Sequence, residues 1–407
     1  MAPMPVTRYL KVALILGLIS AIGPFAIDMY LPALPEIGQS LGAEVGQVQL
    51  TLTVFFLALG SGQLLYGPVS DMVGRKPPLY FGLGIFILAS IGCALTTDVQ
   101  TLIALRFVQG FGAAAGMVIP RAVVRDLHTG TEAARMMSLL MLVFSVSPIL
   151  APLAGSGVIA LAGWRSVFWC VALAAMAGLI LIHWQLKETR GAEQRVGSSF
   201  GSALNAYGVL LRDFYFLGLV GISSSALSGF FVFLAGSPFV LINHYGLTPV
   251  QYSLAFSLNA VAFIGASQFT ATLGKRFGLV RLVKFAASAS GVFMVTLLVF
   301  YLAGGDSLWV LMGLYFVASG FMGLVIPTAS VLALDRHGAI AGTASALMGT
   351  LQMLGGAAAM GIVSLFANGK PLPMVSGMAA GALTGVALTW LTLGARAAKG
   401  IEPARVV

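Results

Sequence analysis

The chain has 407 residues, 58% of them hydrophobic and only 9% charged. Soluble globular proteins carry about a quarter of their residues as charges, so this chain cannot clothe itself in a water-facing surface. The formal net charge is +9, which in a soluble protein would raise nucleic acid as a partner. Here the basic residues fall in short stretches between apolar runs, the way topology is encoded in lipid, and no nucleic-acid partner is expected.

In chain order, twelve apolar segments cover residues 10–34, 46–68, 78–97, 101–122, 134–161, 166–186, 214–242, 250–272, 280–303, 307–333, 339–366 and 373–395. Each can cross a hydrocarbon core of about 30 Å at about 1.5 Å per residue. The first follows Arg8 and Lys11. Its apolar run exceeds the roughly 7–15 residues of a secretory signal, so it reads as a retained helix. The longest hydrophilic stretch, Lys187 to Arg212, lies mid-chain. The expected fold is an all-α integral membrane protein of twelve transmembrane helices in two pseudo-symmetric six-helix bundles. These cover residues 1–186 and 213–407, joined by a cytoplasmic linker over 187–212.

With the N-terminus inside, nineteen of the twenty-two Lys and Arg residues fall on cytoplasmic stretches, among them Arg396, Lys399 and Arg405. Arg165 and Lys370 fall outside, and Arg106 lies within a helix. That asymmetry predicts both termini in the cytoplasm. The halves also echo each other. Val118-Ile119-Pro120 recurs as Val325-Ile326-Pro327, and Gly74 and Gly278 each follow the second helix of their half. Internal repeats of this kind mark transporters that rock one half against the other.

An ionisable side chain at membrane depth is costly and needs a reason. Two such groups remain once the loops are assigned, Asp28 in the first helix and Arg106 in the fourth. Pro24 and Pro32 flank Asp28, so the helix can bend there. Desolvation disfavours a carboxylate and a nearby arginine favours it, so a group balanced between them can exchange a proton near neutral pH. Arg106 is a fixed positive charge; beside Asp28 it would favour the ionised acid. Each has a plainer reading, Asp28 as an acid reaching outer water and Arg106 as a snorkelling side chain. Gln109, one turn on, favours a buried face for the arginine.

After the second helix comes Gly67-Pro68-Val69-Ser70-Asp71-Met72-Val73-Gly74-Arg75-Lys76. Gly67 and Gly74 permit a tight turn, Asp71 suits a helix N-terminus, and Arg75 can reach a second acid, with Asp126 the candidate. Such a cluster would latch one conformational state; a solvated loop is the alternative. In the fifth helix, Ser147 to Gly157 carries Pro148, Pro152 and small residues, which packing alone explains. Cys93 and Cys170 sit in apolar runs with no ligand spacing. His128, His183, His244 and His337 form no cluster. No metal site, phosphate loop or nucleophile motif is visible, so neither a cofactor nor an enzymatic activity is expected.

At these residues the chain resembles the major facilitator superfamily along essentially its whole length. Gly67 to Lys76 matches the G-x-x-x-D-x-x-G-R-[RK] signature, and Arg106 through Gly110 the R-x-x-Q-G signature. The fifth-helix segment is similar to the antiporter signature, with Ala151-Pro152 in place of Gly-Pro. Gly163-Trp164-Arg165 with Phe168 also looks like drug exporters. Asp28 to Pro35, with Arg121 to Asp126, resembles the bicyclomycin/chloramphenicol-resistance subfamily of drug–proton antiporters. The resemblance implies that Asp28 is the substrate- and proton-linked acid, that Arg106 couples to proton movement, and that Asp71 and Arg75 gate. Ser20 stands where some relatives carry a second acid, which favours neutral over cationic drugs. Lys275 and Leu279 replace the signature Asp and Arg of the second half, and Tyr315 sits roughly where Arg106 repeats.

The function expected is proton-coupled efflux of amphipathic antibiotics by alternating access, from a bacterial inner membrane and as a monomer. Tyr30, Gln109, Phe144, Phe233, Asn259, Tyr315 and Gln352 are candidate cavity residues, being aromatic or amide side chains in central helix stretches. A proton-coupled importer of a small metabolite is the alternative within transport. A membrane sensor or scaffold usually needs a large soluble domain, which this chain lacks.

Overall fold

A computed structural model describes residues 6–195 and 200–394. Twelve helices are long and apolar enough to cross a membrane, and no strand occurs among the described residues. They are α1 (Lys11–Leu41), α2 (Val45–Val73), α3 (Lys76–Leu95), α4 (Val99–Leu127), α5 (Gly130–Ala162), α6 (Arg165–Gln185), α7 (Phe214–His244), α8 (Pro249–Gln268), α9 (Leu279–Leu302), α10 (Leu308–His337), α11 (Ala341–Ser364) and α12 (Pro371–Gly394). The protein is therefore a multi-pass, all-helical membrane protein. Arg396, Lys399 and Arg405, assigned to the cytoplasm from sequence, lie outside the described residues.

The ends of the spans follow local chemistry. Glu44 and Gln47 form a reciprocal capping box at the start of α2, satisfying donors that a helix N-terminus leaves open. Asp98 caps α4 by accepting from the Thr101 N–H at 2.8 Å. Asp213 caps α7 through the N–H groups of Tyr215 and Phe216. Partial burial of Asp213 disfavours its charge, but those two donors and His337 hold its carboxyl below the usual range.

One boundary corrects the sequence reading. The second helix runs to Val73, five residues past the expected end, so Gly67, Ser70 and Asp71 are helical. Nothing lies within 4 Å of where a Cβ on Gly67 would sit; its glycine serves neither a turn nor a close approach. The turn is confined to Gly74 and Arg75, and Gly74 has φ +100°, where a side chain would be strained.

Two spans are irregular. Within α1 the regular helix stops at Asp28, a 3₁₀ turn follows over Leu31–Ala33, and a short helix resumes over Leu34–Leu41. Pro32 and Pro35 lack the N–H donors that would continue the ladder. In α7 the helix turns π-helical over Phe239–His244 directly after Pro238.

The chain divides into two compact units, residues 1–204 with 246–257, and residues 205–245 with 258–407. Within the first unit, α2 crosses α4 so closely that a Cβ on Gly110 would collide with the Phe55 backbone. Within the second, Gly323 of α10 stands in the same relation to Phe263 of α8. Close approach through small residues is how helices pack where lipid supplies no hydrophobic drive. The beginning of α8 packs with the first unit: Ser253 and Ser257 donate to the carbonyls of Pro152 and Ile149, each at 2.9 Å.

Candidate functional site

The break in α1 builds the centre of the first unit. Its last regular residue is Asp28, and the Tyr30 N–H turns aside to the Ile27 carbonyl at 3.2 Å. The Ala26 carbonyl thereby loses its ordinary partner four residues on, and Arg106 Nη1 takes it at 3.4 Å. The two intramembrane charges thus touch the same half-turn of α1. No ion pair within 4.0 Å joins them; none of the ion pairs found among the described residues includes either.

Asp28 is 5% exposed. Its Oδ2 accepts from the Ser147 hydroxyl of α5 at 3.0 Å. A buried carboxylate held by one neutral donor is poorly compensated, so a proton or a ligand's donor group is what it lacks. From one turn before it, Leu14, Leu18 and Phe25 of α1 and Leu139, Val143 and Val146 of α5 line an apolar groove of about 560 Å³. Residues 14, 18, 21, 25 and 28 follow one another at three- and four-residue steps, which is one helix face. The groove therefore runs along the stripe that ends in the carboxyl, and Val146 adjoins Ser147.

Arg106 is 0% exposed and is one of the largest fully buried side chains. Its guanidinium lies 4.4 Å from the Tyr30 ring centroid and 4.3 Å from that of Phe55, with Phe168 at 5.9 Å. Stacking on desolvated aromatic faces is worth about 2 kcal/mol or more. Nη1 also donates to Gln109 Oε1 at 2.6 Å, and Gln109 Nε2 donates to Ser90 Oγ at 2.7 Å. Tyr30 shares a hydrogen bond of 2.9 Å with Thr51. Nε and Nη2 of Arg106 have no partner. Aromatic faces and neutral acceptors, not an acid, surround this cation.

Within the first unit the structure brings Tyr30, Arg106 and Gln109 together. Phe144 faces Arg121, 5.3 Å from ring centroid to guanidinium. In the second unit Phe233 and Tyr315 pack ring on ring at 4.2 Å, both fully buried, and the Tyr315 hydroxyl has no partner. Gln352 donates to Ser223 at 2.9 Å, and Asn259 faces the Met312 sulfur at 3.9 Å. Sequence reasoning passed over Ser147, Ser90 and Thr51. Ser147 was absorbed into a packing segment, although a hydroxyl beside a helix-breaking proline is a donor free to face a neighbour.

At the other end of α2, Arg75 is 3% exposed. Nε and Nη2 engage both oxygens of Asp126, at 2.7 and 3.0 Å, and Nη1 donates to Asp71 and Ser70, each at 2.8 Å. Burial opposes the guanidinium charge, but Asp126 and then Asp71 outweigh it and hold the proton more firmly than usual. A two-pronged arginine–carboxylate pair is strong and directional.

The chain is similar to known proteins over most of its length. The profile of the Major Facilitator Superfamily matches residues 16–360. A bicyclomycin resistance protein homolog of Haemophilus influenzae is 30% identical over 90% of this chain and 92% of its own. Multidrug resistance protein D of Escherichia coli is 30% identical over 86% and 87%. Among solved structures, a D-xylose-proton symporter superposes with a TM-score of 0.73 at 14% identity, covering 94% of this chain and 97% of that one; this likeness shows the fold alone.

Proposed function

The chain belongs to the major facilitator superfamily, and from that premise we propose that it exports amphipathic drugs in exchange for protons by alternating access. Relatives named for bicyclomycin and multidrug resistance support the drug-export reading. The observation that carries the coupling is Asp28, a carboxyl buried halfway along a span, held by one hydroxyl and one helical turn after Phe25, which lines an apolar groove. The apolar body of a drug suits the groove, and its hydrogen-bond donor suits the carboxyl. A proton takes the same place, so loading one releases the other. Each charge moving inward down the membrane potential gains about 2.3 kcal/mol per 100 mV. Arg106 stays charged throughout and holds the half-turn of α1 that carries the acid.

In this reading the chain works as a monomer in a bacterial inner membrane with both termini in the cytoplasm, an orientation supported by the excess of Lys and Arg on the inner stretches. Neutral compounds of the bicyclomycin and chloramphenicol kind are the expected cargo, since Ser20 stands where a second acid would help hold a cation.

The test is proton release from purified protein in weakly buffered solution on adding antibiotic, paired with growth protection of a drug-sensitive strain. Release with the unaltered chain, lost together with protection in Asp28→Asn, is the expected result. Full protection by Asp28→Asn removes Asp28 from the coupling. Drug accumulation in place of depletion in energised cells identifies an importer instead.

A further inference from the structure

We infer that Glu188, Thr189 and Arg190, just past α6, are positioning residues of the cytoplasmic gate, each holding a different part of the Asp71–Arg75–Asp126 cluster. The inference rests on reading that cluster as a gate.

Three consecutive residues engage all three members. Glu188 accepts from the backbone N–H groups of Arg75 and Lys76 at 2.9 and 3.0 Å, and from those of Thr189 and Arg190, each at 3.0 Å. It therefore caps the start of α3, where a helix N-terminus favours an anion. Burial disfavours its charge, yet these four donors hold the carboxyl below the usual range. Thr189 Oγ1 donates to Asp126 Oδ2 at 3.0 Å, the oxygen that also accepts from Arg75 Nε. Arg190 Nε donates to the Asp71 carbonyl at 2.8 Å, and its Nη1 lies 3.3 Å from the Asp71 carboxylate.

Gly74 supplies an independent observation. A Cβ there would lie 2.8 Å from Glu188 Oε2 and 2.6 Å from Arg195 Nη2. The positive φ is what requires the glycine, and the side-chain ends of Glu188 and Arg195 lie directly against it. Opening the cluster thus requires releasing the tripeptide as well as separating Arg75 from its acids.

The experiment is hydrogen–deuterium exchange on the purified full chain without drug, so its outcome is independent of what the protein transports. Glu188→Ala is expected to speed exchange at the amides of Val69 to Gly74, which Glu188 does not touch, by roughly tenfold, the scale of one lost buried hydrogen bond. Thr189→Val, a near-isosteric change, gives a smaller increase that Thr189→Ser reverses. Exchange that rises only at Arg75 and Lys76, or a Thr189→Val protein indistinguishable from the unaltered chain, overturns the inference and leaves Glu188 as a helix cap.

Discussion

At the scale of single residues, the proposed coupling rests on a carboxyl and one hydroxyl. Ser147 holds Oδ2 of Asp28 at 3.0 Å, and a hydrogen bond to a charged group contributes about 1.5–3 kcal/mol. Ser147→Ala should therefore weaken drug binding about tenfold or more, measured by equilibrium titration, and Ser147→Thr should restore most of it by keeping the hydroxyl. In an Asp28→Asn background the same alanine change should have little further effect, because coupled partners are not additive. An equal loss in both backgrounds would separate Ser147 from the acid. Arg106 shows where residue-level reading stops. Its burial follows from Gln109 on the same face, but its partners are the rings of Tyr30 and Phe55 and a carbonyl freed by a break in another helix. None of these adjoins it in sequence.

Individual elements matter through their irregularities and their tight crossings. Pro24, Pro32 and Pro35 announce that α1 is not a uniform rod, and the break after Asp28 turns a plain span into one that presents an acid and a bare carbonyl on the same half-turn. The crossing of α2 over α4 is tight: Gly110 leaves no space for a methyl group against Phe55. Gly110→Ala should force the helices apart at a cost of about 1–3 kcal/mol, read as a lower thermal unfolding midpoint in detergent. An unchanged midpoint would mean that the crossing relaxes freely. The segment from Gly67 to Lys76 holds two glycines of different standing. Two glycines seven residues apart look alike in sequence, yet Gly67 is an ordinary helical residue and only Gly74 sits at positive φ. Pro68 and Gly67 are tolerated within α2 because neighbouring packing, not propensity, sets the ends of a span.

For the whole molecule, the distribution of Lys and Arg makes a topological prediction. In a background of Cys93→Ser and Cys170→Ser, a cysteine replacing Lys370 should react with a membrane-impermeant maleimide in intact spheroplasts. One replacing Glu193, exposed just past α6, should react only after permeabilisation. The reverse pattern would invert the protein and with it the direction assigned to proton flow. The two compact units each carry a glycine crossing of the same kind, so the repetition glimpsed in Val118-Ile119-Pro120 and Val325-Ile326-Pro327 extends to backbone packing. The units differ in charge. The first has Asp28, Arg106 and the Asp71–Arg75–Asp126 cluster, whereas Tyr315 and Phe233 fill the corresponding core of the second.

The twelve spans, the family and the two intramembrane charges could be read from the sequence alone. Hydrocarbon thickness imposes a length on every apolar run, and the cost of burying charge makes each exception conspicuous. Arg75 with Asp126 was also within reach, because few acids stand near enough in the chain's cytoplasmic stretches to answer that arginine. Only the tertiary structure decided that Asp28 is held by Ser147, that Arg106 lies between aromatic rings instead of against an acid, and that Glu188 to Arg190 contact Arg75, Asp126 and Asp71. Those contacts join helices more than fifty residues apart through side-chain direction and helix rotation. Periodicity in a nearly all-apolar span does not encode that rotation, because every face of such a helix reads alike.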